Sequence, residues 1–552
     1  MKKLLLTASL LVSFAMMSQT IEISRFGAIP DDGKDDTKAL RKAAEYCRTH
    51  PGTTLSIGPG VYLLRDRDAM ELEEKACAGE FGENIEPTVF TPYYPYVKGL
   101  DFGGCRDVTV MAEGATLLCD GWMEPVSITG STGFTLKGLT IDYLRKPFSH
   151  GTVTSVGDSW FDVEFSGERE ITDRLPLMRM TFWNPKYNRV DPNVLYFPRR
   201  ELRGGNTVRF HSHIPDSLAG STANVNHCFH FRPAILILES SNTTIDNVTI
   251  HSQPGMGIVG FDSRDVTMRN LSVRPAAGYS QSTNTDATHF AACEGTIRFE
   301  GCYFQGQGDD ATNVHGYYQS IIHADGKTAR LQIKAPTYTH AQVIDAPRPG
   351  DVMELVEIST LRPAGTFTVE SSAHKPEGTI CDVTFTEPLP ADCGQYYMMN
   401  ITKLPRLEFE NNMVNSHLAR GVLVKTRGAV IRNNVFRHCT GTAIHVGAEA
   451  SWHEGTHAKD ITITGNVMTG CGSGAGSQGG ASGISVIIEA ADTSESLLHD
   501  GITISNNMIY GENNPCGIFV GNARNVTLEN NAVRNCRTDI VTRTTLDVTV
   551  RQ

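Results

Sequence analysis

Ile245-Asp246-Asn247, Met268-Arg269-Asn270 and Phe299-Glu300-Gly301 repeat one short pattern: an apolar residue, a charged one, then Asn or Gly. It returns, with the middle residue charged or simply polar, at Phe409-Glu410-Asn411, Ile431-Arg432-Asn433, Ile463-Thr464-Gly465, Ile504-Ser505-Asn506 and Leu528-Glu529-Asn530. The intervals are 23, 31, 110, 22, 32, 41 and 24 residues. Each triplet closes a run of β-formers, so the short intervals predict one turn of a solenoid of stacked strands. A leucine-rich repeat needs a regular Leu skeleton, and a propeller blade repeats about every 40–45 residues with four strands. The β-branched core and the Asn or Gly turn instead predict an all-β chain. Its fold is expected to be a right-handed parallel β-helix, with stacked Asn side chains at one turn.

Three carboxylates follow the same rhythm. Asn284-Thr285-Asp286 and Gly308-Asp309-Asp310 lie 23 to 24 residues apart, which puts their aspartates on adjacent rungs. Acid–base cleavage of a glycosidic bond needs one protonated carboxyl at the leaving oxygen and a second carboxylate for water or for the sugar carbon. Crowded carboxylates raise one another's pKa, which keeps one protonated near neutrality. Asp309 and Asp310 are sequence neighbours and would face opposite ways in a regular strand, so at least one is expected in a turn or bulge. His315, Asn313 and His289 lie close enough to bind sugar hydroxyls, and Lys425 and Arg427 fall on a later rung. Trp183 and Trp452 could stack on a sugar face or anchor loops.

Of the 552 residues, 40% are apolar and 20% charged, and the net charge is -12. This is a globular composition, and the charge argues against a nucleic-acid or anionic-membrane partner. Met1-Lys2-Lys3 and the apolar run from Leu4 to Met17 read as a signal peptide over 1–20, so export to the periplasm or beyond is expected. Thirteen cysteines, with no Cys-x-x-Cys, read as buried packing more than as a disulfide framework. Residues 21–143 are expected to form the first part of the β-helix. Thr37 to Arg48 would be an amphipathic helix capping its open end, where bare strand edges would invite aggregation. The rhythm stops over 144–232 and again over 317–403. Both gaps carry their own strands, so each predicts an inserted antiparallel β-barrel or sandwich. The solenoid resumes over 233–316, with the aspartates, and over 404–552.

The Asn-Thr-Asp, Gly-Asp-Asp and His-Gly segments resemble the motifs of polygalacturonases, although Ala287 and Val314 stand where that family has Gly. The Arg-x-Lys that grips a uronate there is only partly echoed near Lys425. The opening Phe26-Gly27-Ala28 through Asp36-Thr37, the two inserted segments, Asn284 to Phe290 and Gly306 to Gly316 more closely resemble glycoside hydrolase family 110, the bacterial α-1,3-galactosidases. That resemblance implies an inverting, metal-independent exo-hydrolase acting on terminal α-1,3-linked galactose, as in blood-group B and linear structures. It implies Asp309 as general acid and Asp286 or Asp310 as the residue that deprotonates water, with an oligosaccharide or glycoconjugate as substrate. No cofactor is expected, and His227, His230, His438, His445, His453 and His457 show no zinc-ligand spacing. A homodimer stays open. The competing readings are a pectin-fragment hydrolase and a non-catalytic glycan-binding β-helix.

Overall fold

The computed structural model describes residues 19–91, 94–333, 345–375, 378–474 and 476–551; the signal-like run up to residue 18 lies outside them. Three columns of parallel strands run the length of the molecule. In one, Leu136, Ile245, Met268, Phe299, Phe409, Ile431, Ile463, Ile504 and Leu528 stand in register. In another, Ile141, Ile250, Val273, Phe304, Val414, Phe436, Met468, Ile509 and Val533 do the same. The third aligns Val126, Ile235, Ile258, Thr288, Thr312, Val422, Ile444, Ile484 and Ile518. The apolar members of all three columns face one continuous buried core. The fold is therefore a parallel β-helix, and the residues of the sequence repeat form one of its columns.

The recurring Asn or Gly has a conformational cause. Asn247, Asn270, Gly301, Asn411, Asn433, Gly465, Asn506 and Asn530 all take φ between 50° and 67°. Gly and Asn tolerate this left-handed backbone best, which is why they interchange. The expected Asn ladder is offset by one position. Asn412, Asn434, Asn466 and Asn507 each donate their backbone N–H and side-chain amide to the Oδ1 of the next Asn, ending at Asn531. The equivalent sites in earlier rungs are Val248, Leu271 and Cys302, so the ladder belongs to the later half.

The helix Thr37–Thr49 lays Ala39, Leu40, Ala43, Ala44 and Cys47 on the core beside Leu55 and Val110. All thirteen cysteines are free, eleven of them buried. Between solenoid strands Thr140–Tyr143 and Ile235–Leu238 the chain builds a seven-stranded antiparallel sheet around its own core of Phe161, Phe182, Phe210 and Val225. The second excursion begins inside a strand: Thr312–Asp325 runs parallel to the rungs through His315, then continues into an antiparallel set. Its six described strands pair in a closed ring, Thr312–Asp325, Thr328–Gln332, Ile380–Phe385, Pro363–His374, Val352–Glu357, Tyr396–Asn400 and back. That ring also has its own core, including Leu331, Met353, Val383 and Met398. No helix among the described residues is long and apolar enough to cross a membrane.

Candidate active site

Thr288 pairs with Thr312 and Thr312 with Val422, so Asp286, Asp310 and Arg420 occupy the same place, two residues before the strand, on three successive rungs. The backbone ladder agrees, because Asp286 O accepts from Gly257, Asp310 O from Ala287 and Arg420 O from Ala311. Both Asp309 and Asp310 lie in the bend that leads into Thr312, which answers the conflict of facing expected for adjacent aspartates. His289 and Asn313 are register partners on the outward side of this column, and His315 stands opposite Lys425. Asp286, Asp309, Asp310, His289 and Asn313 line one cleft of about 110 Å³, together with His230, Met256, Arg420, Glu449, Trp452 and Glu454. Larger clefts beside Tyr94 and around Arg330 hold no comparable convergence of carboxylates.

The three aspartates are held differently. Arg420 donates to Asp310 Oδ1 from its backbone N–H (2.6 Å) and Nε (3.0 Å), and to Oδ2 from Nη2 (2.9 Å). Burial pushes Asp310 up, and Arg420 opposes it. Asp286 Oδ1 accepts the Asp310 N–H at 3.2 Å, and its Oδ2 meets His289 Nδ1 at 2.8 Å. Asp309 alone is open, with 35% of its side-chain surface exposed, and its nearest cation is Arg179 Nη1 at 3.8 Å. Burial, then Asp310 and Asp286, push Asp309 up to about 7, and solvent in the cleft screens part of that push. Gly308 beside it is fixed by crowding: a Cβ there would lie 2.3 Å from Asn284 O and 2.4 Å from Arg179 Nη2.

The histidines carry a readable proton count. His315 Nδ1 meets a carbonyl, Gly316 O, at 2.9 Å and must donate to it. Burial pushes His315 down to about 4, so its Nε2 is bare and accepts from His289 Nε2–H at 2.7 Å. His289 Nδ1 meets Asp286 Oδ2, so both nitrogens of His289 are engaged. Asn313 Nδ2 donates to Glu454 Oε2 at 3.0 Å, while its buried Oδ1 has no hydrogen-bond partner among the described residues.

Lys425 is completely buried beneath the cleft, paired with Glu449 at 2.5 Å and with Glu454. Burial pushes Glu449 up, but Lys425 and Arg420 outweigh it and hold it at about 2. Arg427 is not brought to the cleft; its Nη2 bonds Glu354 of the second insertion at 2.6 Å. Trp452 lines the cleft, whereas Trp183 does not. His289, His315 and Glu454, and separately the three aspartates, bring ligand atoms within 4.8 Å of one another, so either group has the donors for a cation. The first group pairs histidines 26 residues apart with a glutamate from a distant loop, which local spacing could not reveal.

Arg420 was legible and overlooked: the 110-residue interval that carries Phe299 to Phe409 also carries Asp310 to Arg420. Arg179, on a strand of the first insertion, and Glu449, Trp452 and Glu454, between two rungs, lie outside the repeat and have no such signal.

No family model matches the chain. Similar proteins bear out the resemblance read from the motifs. An alpha-1,3-galactosidase A of Bacteroides fragilis is 26% identical over 490 residues, covering 83% of this chain and 78% of that protein. An alpha-1,3-galactosidase A of Bacteroides thetaiotaomicron is 24% identical, covering 96% of this chain and 94% of that one. Among solved structures, the A-module of the Azotobacter vinelandii mannuronan C-5 epimerase AlgE4 covers 96% of this chain and 99% of its own, with a TM-score of 0.45 and 11% identity. An exopolygalacturonase of Thermotoga maritima covers 95% and 92%, with a TM-score of 0.41 and 12% identity.

Proposed function

We propose that this chain is an exo-acting, inverting α-1,3-galactosidase, releasing terminal galactose from blood-group B or linear galactose-α-1,3-galactose glycans without a metal. The observation that carries the reading is the unequal treatment of three crowded carboxylates: one open and proton-retaining, two buried and tied down. The names of the similar proteins supply the sugar and the linkage. The cleft supports a neutral sugar over a uronate. Its cations Arg420, Lys425 and Arg179 each face a carboxylate already, and five acidic side chains surround the same space. Export of the enzyme fits such a substrate.

In the proposed reaction the Asp309 carboxyl gives its proton to the glycosidic oxygen as the bond from that oxygen to C1 breaks. A water attacks C1 from the opposite side and passes one proton to Asp286 Oδ1. The products are β-galactose and the acceptor alcohol. Asp286 is favoured as the base over Asp310 because three donors from Arg420 already engage the latter. A separation within 4.8 Å is short for an inverting pair, where about 6.5–9.5 Å is usual. Inversion rests instead on the resemblance to the α-1,3-galactosidase family, and the carboxylate spacing makes the stereochemistry of the first product the deciding measurement.

The test is proton NMR of the first product formed from blood-group B trisaccharide, linear galactose-α-1,3-galactose and a galacturonic acid oligomer, with and without chelator. Early β-galactose, unaffected by chelator, is expected. Early α-galactose would overturn inversion, and galacturonate release would overturn the substrate.

A further inference from the structure

We propose that Tyr196 and Phe197, carried by the first insertion, form the platform that receives the sugar on the leaving-group side of the cleaved bond. This rests on the galactosidase reading above and adds the residues that select the acceptor.

The placement follows from strand register. Strand Arg179–Asn184 pairs antiparallel with Arg189–Tyr196, and Arg179 stands directly opposite Tyr196. Directly opposed residues project to the same face of a sheet. Arg179 is also the residue whose guanidinium reaches Asp309. That guanidinium lies over the ring of Phe229, 5.0 Å from its centroid. Phe229 in turn meets Tyr196 at 6.1 Å and Phe197 at 6.4 Å, both edge to face. An aromatic group of three rings thus adjoins the cation beside the proton donor. A general acid stands next to the oxygen it protonates, so whatever lies beyond that oxygen lies on the side of Asp309.

Two features of these rings are unexplained by packing. Tyr196 is 59% exposed and Phe197 43%, and neither belongs to the apolar core of the insertion. Phe197 also holds φ at +48°, a conformation that a bulky side chain adopts only where its surroundings impose it. Its N–H donates to Met178 O at 3.0 Å, and Pro198 follows, so the turn is pinned with the ring outward. A pyranose offers a flat patch of C–H groups on one face and hydroxyls at its rim. Exposed, rigidly held aromatic faces match that patch at little cost in side-chain entropy. A substrate whose leaving group is not a sugar has nothing to place there.

The experiment compares the wild type with Tyr196→Ala, Phe197→Ala and the double variant on two substrates, galactose-α-1,3-galactose and α-galactosyl fluoride. For the disaccharide, kcat/KM is expected to fall about tenfold in the double variant, mainly through KM. For the fluoride it should stay within about twofold, because that substrate needs only the galactose pocket. Tyr196→Phe keeps the ring and should retain the disaccharide rate. Disaccharide kinetics unchanged in the double variant, or equal loss on both substrates, would overturn the proposal while leaving the galactosidase reading intact. A wild-type protein inert toward both substrates would overturn that reading, and this proposal with it.

Discussion

Asn412, Asn434, Asn466, Asn507 and Asn531 stack on one turn of the solenoid, and Asp286, Asp310 and Arg420 stack on another. The geometry is shared, since each rung sets its side chain beside the next at strand spacing. The Asn stack is neutral and self-satisfying: each inner amide donates to one Asn and accepts from another, and backbone groups of Cys302 and Ile504 close its two ends. The Asp stack places two like charges in succession and becomes tolerable only through Arg420 on the third rung and His289 beside the first. The carboxylate of Asp309, one residue off the column, has no partner in hydrogen-bond contact among the described residues, and it is the one pushed up to about 7. A β-helix thus turns the same repetition into stability where the stacked groups complement each other, and into a crowded acidic cleft where a carboxylate beside the stack is left uncompensated.

The largest effect on stability should come from breaking the charged stack. Arg420→Met leaves Asp310 and Glu449 buried without their shared cation. The expected cost is about 3–5 kcal/mol, measured by denaturant unfolding at neutral pH. In the variant, the folded-state pKa of Asp310 would rise further above its unfolded value. The cost should therefore shrink as pH falls and that carboxyl protonates in the folded state. An Arg420→Met protein as stable as the parent would mean that the column is not electrostatically held.

A smaller and purely structural loss is expected at the neutral stack. Asn466→Leu removes the donors to Ile431 O and Asn507 Oδ1 and the acceptor for Asn434, all of them buried. About 1–3 kcal/mol of stability should go, with galactoside hydrolysis unaltered per folded molecule. A drop in turnover without a drop in stability would erase the distinction between the two stacks.

Much of this was legible in the sequence for a physical reason: a solenoid repeats its backbone conformation, so residues demanded by that conformation recur. The left-handed turn selects Asn247, Asn270, Gly301 and their successors, and those residues mark the rungs. The Asn ladder lies one residue further on because turn conformation constrains the first position and stacking the second. Asp286 and Asp310 follow the same register, and so does Arg420 across the 110-residue interval. Other residues at the cleft come from outside the repeat. Arg179 is delivered by a sheet with its own core, and Glu449, Trp452 and Glu454 by a loop between rungs. Periodicity carries no information about where such segments land. It likewise could not distinguish Lys425, buried under the cleft, from Arg427, which turns to the second insertion.

The measurement that tests the central claim most directly is the pH–rate profile of the wild type and of Asp309→Asn on galactose-α-1,3-galactose and on α-galactosyl fluoride. Asp309 must be protonated to act, so the wild-type rate on the disaccharide should fall as pH rises through about 7. Asp309→Asn should lose about 10²–10⁴-fold on the disaccharide yet keep most of its rate on the fluoride, whose leaving group needs no proton. Equal loss on both substrates, or an unchanged alkaline limb in the variant, would contradict the assignment of Asp309 as the acid.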